Sequence, residues 1–348
     1  MSYRRRPMRR LAPLSAVLIA LIAVAGIACG GNSTSSRDGS AGTHAGDRLT
    51  LRIGDQSKGL QLPLELSGQS QGTPYDLQWN TFADGPHMNA AFSAGKIDIG
   101  TMGDTPVLFA NAAHADVTVV AISKSTVNSQ TIIATRQSGI RTVADLKGKR
   151  VAFTTGTSLH GYLLNQLDSV GLTQENVTAV NIPGTSLLAT LESGTVDAVV
   201  YTRQFIQTYF RKNPDVVEVE TKPIPQYSVI LAAKNSLKDP AKRAVIQDFL
   251  VRLAKASTWP KANPAGWVDA YYVKQLHQDP AASAEYFASL PATRYGPVPD
   301  DFVESQRVQA RLLIGVGELP KALNVDDEFD AAVAKEFSAP LSTAVPAT

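Results

Sequence analysis

Two short polar stretches carry the residue types that hold a small anion. In GTMGDTP, Gly103, Asp104 and Thr105 follow the strand-like Ile97 and Ile99 and precede Pro106, so a strand runs into a turn rich in backbone amides and short hydroxyls. In FTTGTSLHG, Thr154, Thr155, Gly156, Thr157 and Ser158 stand at the mouth of a helix, with His160 in its first turn. The free amides and positive dipole end of a helix attract an anion, and neither stretch has the lysine of a phosphate loop. Taken alone, the second stretch reads first as an ordinary N-cap. Two of them on facing lobes can close on one ligand.

Other residues join this set. Gly85 and Pro86 open the helix in GPHMNAAF, Asp55 and Gln56 follow the strand LTLRIG, and Ser228 stands near the start of the strand YSVILAA. In YTRQF, Thr202 and Arg203 end a strand; Arg203 either enters the cleft and pairs bidentately with an anionic head group or lies on the surface, and the sequence leaves both open. The five histidines (His44, His87, His114, His160, His277) are scattered, with no H-E-x-x-H or Cys/His cluster. There is no G-x-S-x-G elbow and no P-loop. The expectation is a binding protein without metal or cofactor, not an enzyme.

Positioning such turns requires strands and helices in alternation, and the chain supplies them. LTLRIG, LQWNTF, KIDIG, VTVVAI, TIIAT, KRVAFTT, VTAVNIP, VDAVVY and YSVILAA read as strands, separated by segments with helical spacing such as Leu159, Leu163, Leu164 and Leu167. The pattern argues for parallel α/β sheets. AFSAGKIDIGTMG and TLESGTVDAVVYT echo each other: helix, Gly stop, Asp, strand, polar turn, with Asp98 and Asp197 at matching places, where they tie loops together. Two lobes of similar construction follow, each binding at its sheet's carboxyl edge. The chain is expected to enter lobe two near Thr135 to Arg141 and to return near Gln226 to Ser228. Lobe one then comprises 49–134 and 228–338, lobe two 135–227. After Ala233 the segments are helical, several opening on Asp-Pro. Residues 339–348 have turn-former composition and read as a frayed tail.

The amino-terminal end is an address. Five arginines within the first ten residues precede an apolar run from Leu14 to Ala28, about the length of a signal-peptide core. The run stops before Cys29, the only cysteine, which marks the lipidation point of a bacterial lipoprotein signal; the place three residues earlier, usually Leu, Val or Ile, holds Gly26. Residues 29–48 are a Gly/Ser-rich tether. Losing 1–28 removes five arginines and no acid, so the formal charge falls from +2 to −3 and gives no basis for nucleic-acid binding.

Taken in order, LRIGDQ, FADGPHMNAAFSAGKIDIGTMGDTPVLFANAAHAD, TVADLKGKRVAF, GTSLHGYLLNQL and SGTVDAVV resemble the substrate-binding proteins of aliphatic sulfonate ABC importers, within the nitrate, sulfonate and taurine group. The resemblance covers Leu49 to Ala233 well and the helical remainder loosely. It implies a two-lobed periplasmic-binding fold with two crossovers, a small anionic ligand, a membrane permease with its ATPase as partners, and cleft positions at Gly103 to Thr105 and Gly156 to Ser158. Thr202, Arg203 and Gln204 depart from the aromatic and acidic residues, followed by proline, usual in this turn. Nitrate, taurine and a thiamine-precursor-like heterocycle are the alternative ligands, the last calling on Tyr201, Phe205 or Tyr227 for stacking. The cysteine-rich motif of related thiamine enzymes is absent.

Overall fold

A computed structural model describes residues 48–344. The signal, Cys29 and nearly all of the tether lie outside these residues. Among the described residues eleven strands form two sheets. The first sheet has the order β11 (Tyr295–Gly296), β4 (Val117–Ser125), β10 (Gln226–Ala233), β3 (Ile99–Gly103), β1 (Thr50–Asp55), β2 (Asp76–Thr81). The second has the order β7 (Thr178–Asn181), β6 (Arg150–Phe153), β8 (Ala198–Thr202), β5 (Gln130–Thr135), β9 (Val216–Glu218). β1 pairs in parallel with β2 and β3, and β6 in parallel with β7 and β8, while β10 and β5 run antiparallel to their neighbours. The fold is α/β, as the alternation of strand and helix patterns implies, but both sheets are mixed and not parallel throughout, because β10, β4 and β11 in one and β5 and β9 in the other pair antiparallel.

Helices α1 (Gln61–Leu66), α2 (Gly85–Ser93) and α3 (Asp104–Ala112) serve the first sheet; α4 (Ser158–Asp168), α5 (Leu187–Glu192) and α6 (Gln207–Lys212) serve the second. After β10 come α7 (Lys234–Lys238), α8 (Pro240–Ala256), α9 (Trp259–Ala262), α10 (Pro264–Trp267), a π-helix (Val268–Gln275), α11 (Pro280–Ser289), α12 (Asp300–Gly315) and α13 (Ala331–Ala344). Each lobe has a core of its own, and a further apolar cluster of Leu108, Leu164 and Leu313 joins α3, α4 and α12 across the lobes. Leu51, Ile53, Ile99 and Ile230 pack beneath α8 and α13 in one lobe, and Val151, Phe153, Leu163 and Val200 pack in the other.

The chain passes between the sheets twice, and the first passage falls earlier than expected. β5 (Gln130–Thr135) already pairs with β8 in the second sheet, so the crossing lies between Ser125 and Gln130 and not at Thr135 to Arg141. The return lies between Glu218 and Gln226. Asn128 joins the two passages: its amide donates to Lys222 O at 3.0 Å and its carbonyl accepts from Ile224 N at 3.0 Å. The expected frayed tail is also corrected, because 339–344 are helical: Val333, Phe337 and Leu341 recur at helical spacing and are buried, which carries the helix past Pro340.

Candidate functional site

On the buried face of the first sheet the apolar core gives way to hydroxyls at the carboxyl end of β3. Registers place Ser228 opposite Gly103 on one side and Ser123 on the other, with Tyr295 beyond Ser123. Two pairs further in, on the same face, Ile230 faces Thr101. Ser228 is exposed although β10 is an interior strand with neighbours on both edges. A side chain there reaches solvent only if the sheet face opens, so this is the floor of a cleft. The Tyr295 phenol, itself buried, lies near the Thr101 and Ser228 side chains, and burial pushes it up to about 12.

The site's walls come from elsewhere in the chain. Tyr271, on the π-helix, is stacked on Trp267 with ring centroids 4.6 Å apart and lies near Asp55 and Tyr295. From the other lobe, the Gln204 side chain lies near the Tyr271 phenol. π-helical turns are uncommon and gather at functional sites. Tyr271 and Tyr295 were not among the residues singled out from sequence; Gln204 was noted only as a departure in its turn and Thr101 only as a hydroxyl of the β3 turn, neither as a ligand contact. The only local signal was the aromatic density of GWVDAYYVK, which read as an ordinary packed helix.

The two helix starts meet each other. A Cβ on Gly103 would lie 1.9 Å from Ser158 Oγ, and one on Gly161 would lie 2.1 Å from Thr105 Oγ1. A side chain at either glycine would require Ser158, or Thr105 and Gln309, to give way. Gly103, Thr105 and Ser158 are therefore brought together as the sequence suggests, but several of their neighbours are already engaged. Thr105 Oγ1 donates to Gln309 Oε1 at 2.6 Å. Thr157 Oγ1 donates to Thr154 O at 2.7 Å and accepts from Leu159 N at 3.2 Å, an N-cap. Thr155 N is held by Asn181 Oδ1 at 2.9 Å. Asp104 is buried at the first position of α3, where it accepts from Thr105 N at 2.8 Å; burial pushes its carboxyl up.

Four sequence-derived candidates have other duties. His160 is fully buried in the second lobe, stacked on Phe153 at 4.6 Å, with Nε2 paired to Gln174 Oε1 at 2.8 Å. It shares the buried face of α4 with Leu163, Leu164 and Leu167, which turns it away from the helix mouth, and burial holds it neutral. Gly85 is a packing contact, since a Cβ there would strike the Pro106 ring at 2.3 Å. Asp55 is buried and collects Gln56 N (2.7 Å), Leu60 N (3.1 Å) and Gln61 N (3.0 Å), closing the turn before α1. That turn runs through Ser57 and Lys58, both at positive φ (53° and 59°), a conformation side chains rarely adopt. Burial outweighs the three amides and pushes Asp55 up to about 6. Arg203 pairs with Glu218 Oε1 at 3.1 Å on β9, and its Nε reaches Gln130 O at 3.4 Å, so it braces its own lobe and is not free for a ligand. Thr202 precedes it at the end of β8, and Gln56 Nε2 lies 3.4 Å from Thr101 O.

A cavity of about 290 Å³ lies between the lobes beside the crossovers, lined by Ser158, Tyr162, Gln226 and Tyr227 among others. Its charged lining residues are Asp104, Asp301 and Glu304, with no lysine or arginine. An anion is disfavoured there. Tyr227 is buried edge-on against Phe302 and presents no free stacking face, and Tyr201 is half-buried against the second lobe's apolar cluster. Among the described residues no group of acids, histidines or cysteines can hold a metal ion, and no helix is long and apolar enough to cross a membrane.

Two α/β lobes joined by two crossovers, with a polar cleft at the sheet's carboxyl edge, define a periplasmic-binding-protein fold. A family model described as ABC transporter, phosphonate, periplasmic substrate-binding protein matches residues 69–275, more than half the chain, and the chain belongs to that family. Among curated proteins it is similar to the putative aliphatic sulfonates-binding protein of Escherichia coli, at 28% identity over 79% of this chain and 86% of that one. The putative aliphatic sulfonates-binding protein of Bacillus subtilis shares 25% identity over 73% of this chain and 76% of its own. The alkanesulfonate-binding protein from Xanthomonas axonopodis pv. citri, solved with MOPS, superimposes with a TM-score of 0.72 at 27% identity, covering 82% of this chain and 99% of that one. These relatives are binding proteins, and membership in a periplasmic family implies an extracytoplasmic location.

Proposed function

We propose that this chain is the substrate-binding component of an ABC importer that captures an organosulfonate, or a related small organic oxyanion, between its lobes. The observation that carries the reading is the exposed Ser228 on an interior strand, at the end of a row of hydroxyls. Ser228, Thr101, Tyr295 and Tyr271 from one lobe and Gln204 from the other offer neutral donors. A sulfonate is a weakly basic, permanent monoanion with three acceptor oxygens, and hydroxyls and amides satisfy it without a counter-charge. A phosphonate dianion calls for cations, and Arg203 is already paired.

Lipidation at Cys29, a tether over 29–48 and handover to a permease complete the proposal, with the protein acting as a monomer at the outer face of the cell membrane. Calorimetric titration with alkanesulfonates, taurine, nitrate, sulfate, sulfate esters and methylphosphonate tests it. Alkanesulfonates are expected to bind and methylphosphonate to bind more weakly at pH 8. No heat with any of them would end the oxyanion reading.

A further inference from the structure

The helical segment after β10 touches the second lobe on two flanks of different construction. On one, α12 packs against α4 through the close approach at Gly161 and the Arg311–Asp168 ion pair at 3.1 Å. On the other the contact is polar. Thr208, near the start of α6, donates its backbone N–H to Gln278 Oε1 at 3.1 Å. Its hydroxyl accepts the Asp279 N–H at 2.7 Å. Arg211, one turn along the same face, pairs with Asp279 Oδ1 at 3.1 Å.

Each end of this contact is tied to the proposed ligand site. Leu276 N donates to Tyr271 O at 2.9 Å and Gln278 N to Tyr272 O at 2.8 Å, so the turn bearing Gln278 and Asp279 hangs from the π-helix that presents Tyr271. His277 holds that turn at φ 55°, outside the conformations most side chains adopt. In the other lobe, Gln207 Nε2 donates to Arg203 O at 2.7 Å, which fixes α6 to the short turn carrying Gln204.

We propose that Thr208, Arg211, Gln278 and Asp279 form an interlobe latch that positions Gln204 against Tyr271 and so sets how long a bound anion is held. They are positioning residues: none is placed against the ligand itself. The proposal rests on the reading that Tyr271 and Gln204 border the ligand. A ligand is bound tightly only by the closed arrangement, so each contact made in that arrangement alone adds to affinity through the dissociation rate.

The test uses the full chain, with ethanesulfonate as the probe. Thr208→Val removes the hydroxyl acceptor, and Thr208→Ser retains it. Hydrogen exchange followed by mass spectrometry reads peptides over 205–212 and 276–282, and stopped-flow fluorescence reads the two rate constants. Thr208→Val is expected to speed exchange in both peptides and to raise the dissociation rate about fivefold, with association nearly unchanged. Thr208→Ser restores both. Arg211→Gln gives a smaller rise, about twofold, that disappears in 1 M salt. Unchanged exchange in Thr208→Val, or an unchanged dissociation rate, overturns the latch. If no sulfonate binds the unaltered chain, the functional proposal falls, while the exchange arm still decides whether the interlobe contact exists.

Discussion

The two lobes carry the same brace in different surroundings. In the first, Asp98 Oδ2 accepts from Arg52 N at 2.8 Å and Arg52 Nε at 3.1 Å, and Arg52 Nη1 reaches Gly95 O at 2.6 Å. In the second, Asp197 Oδ2 accepts from Arg150 N at 2.8 Å and Nε at 3.2 Å, and Arg150 Nη2 reaches Gly194 O at 2.9 Å. Asp98 is 1% exposed and gains Ser236 Oγ at 2.7 Å and Lys242 Nζ at 3.1 Å from the helices beyond β10; the Asp197 side chain is 26% exposed and has no such roof. A repeated motif has thus been turned into two energetic roles by what covers it. In the first lobe it is a buried keystone, and in the second a surface clip.

Asp98→Ala strands Arg52 and Lys242 beside a buried hole and is expected to cost about 3–5 kcal/mol. Asp197→Ala is expected to cost about 1 kcal/mol or less. Urea unfolding of the two variants reads the difference, and equal losses would break the comparison. Acid should find the same asymmetry. The Arg52 and Lys242 partners and the Arg52 amide outweigh desolvation and hold Asp98 down at about 2, below its ordinary 3.8. Its contribution is therefore present above about pH 4 and is lost as pH falls toward 2.

Nearer neutrality the lobes respond in opposite directions. Glu328, buried behind α3, accepts from Gln306 Nε2 at 2.9 Å, and burial raises it from 4.5 to about 7. The stability tied to its protonated form is full below 4.5 and is lost as pH rises through about 7. Its Oε1 and the Gln306 Oε1 are both buried without partners. Glu328→Gln supplies an amide for that pair and is expected to add about 1–2 kcal/mol at pH 8, flattening the decline. His160 in the second lobe is lowered by burial below its ordinary 6.5, so it penalises the fold as pH falls below that value. His160→Leu loses the Gln174 hydrogen bond at every pH but should remove this acid-side loss, read as a flatter change in melting temperature between pH 8 and pH 5. The smallest effect expected is that of Arg203→Ala: about 1 kcal/mol or less of stability, through Glu218, with ligand affinity unchanged by calorimetry.

The echo between the lobes was legible because a Gly stop, an Asp and an apolar strand recur within a dozen residues. The arginines that complete it were not, since they lie 46 and 47 positions away. The first crossover was misplaced because TIIAT suits a strand of either sheet, and only pairing with β8 assigns it. Gly103, Thr105 and Ser158 were found as helix-start chemistry. Their head-to-head contact is a tertiary fact that no local pattern carries. Tyr271 and Tyr295 were missed for the same reason: one sits on a π-helix, which has no familiar sequence period, and the other on a two-residue strand. His160 was misassigned because first-turn placement says nothing of which face the core takes.

The central claim is that a hydroxyl-lined cleft at Ser228 holds the oxyanion, and calorimetric titration of ethanesulfonate against the full chain and Ser228→Ala tests it most directly. Because Ser228 is exposed, the substitution should leave the melting temperature within a degree or so. The expected result is binding by the unaltered chain that weakens about tenfold in Ser228→Ala. Equal affinity in the two proteins would contradict the account.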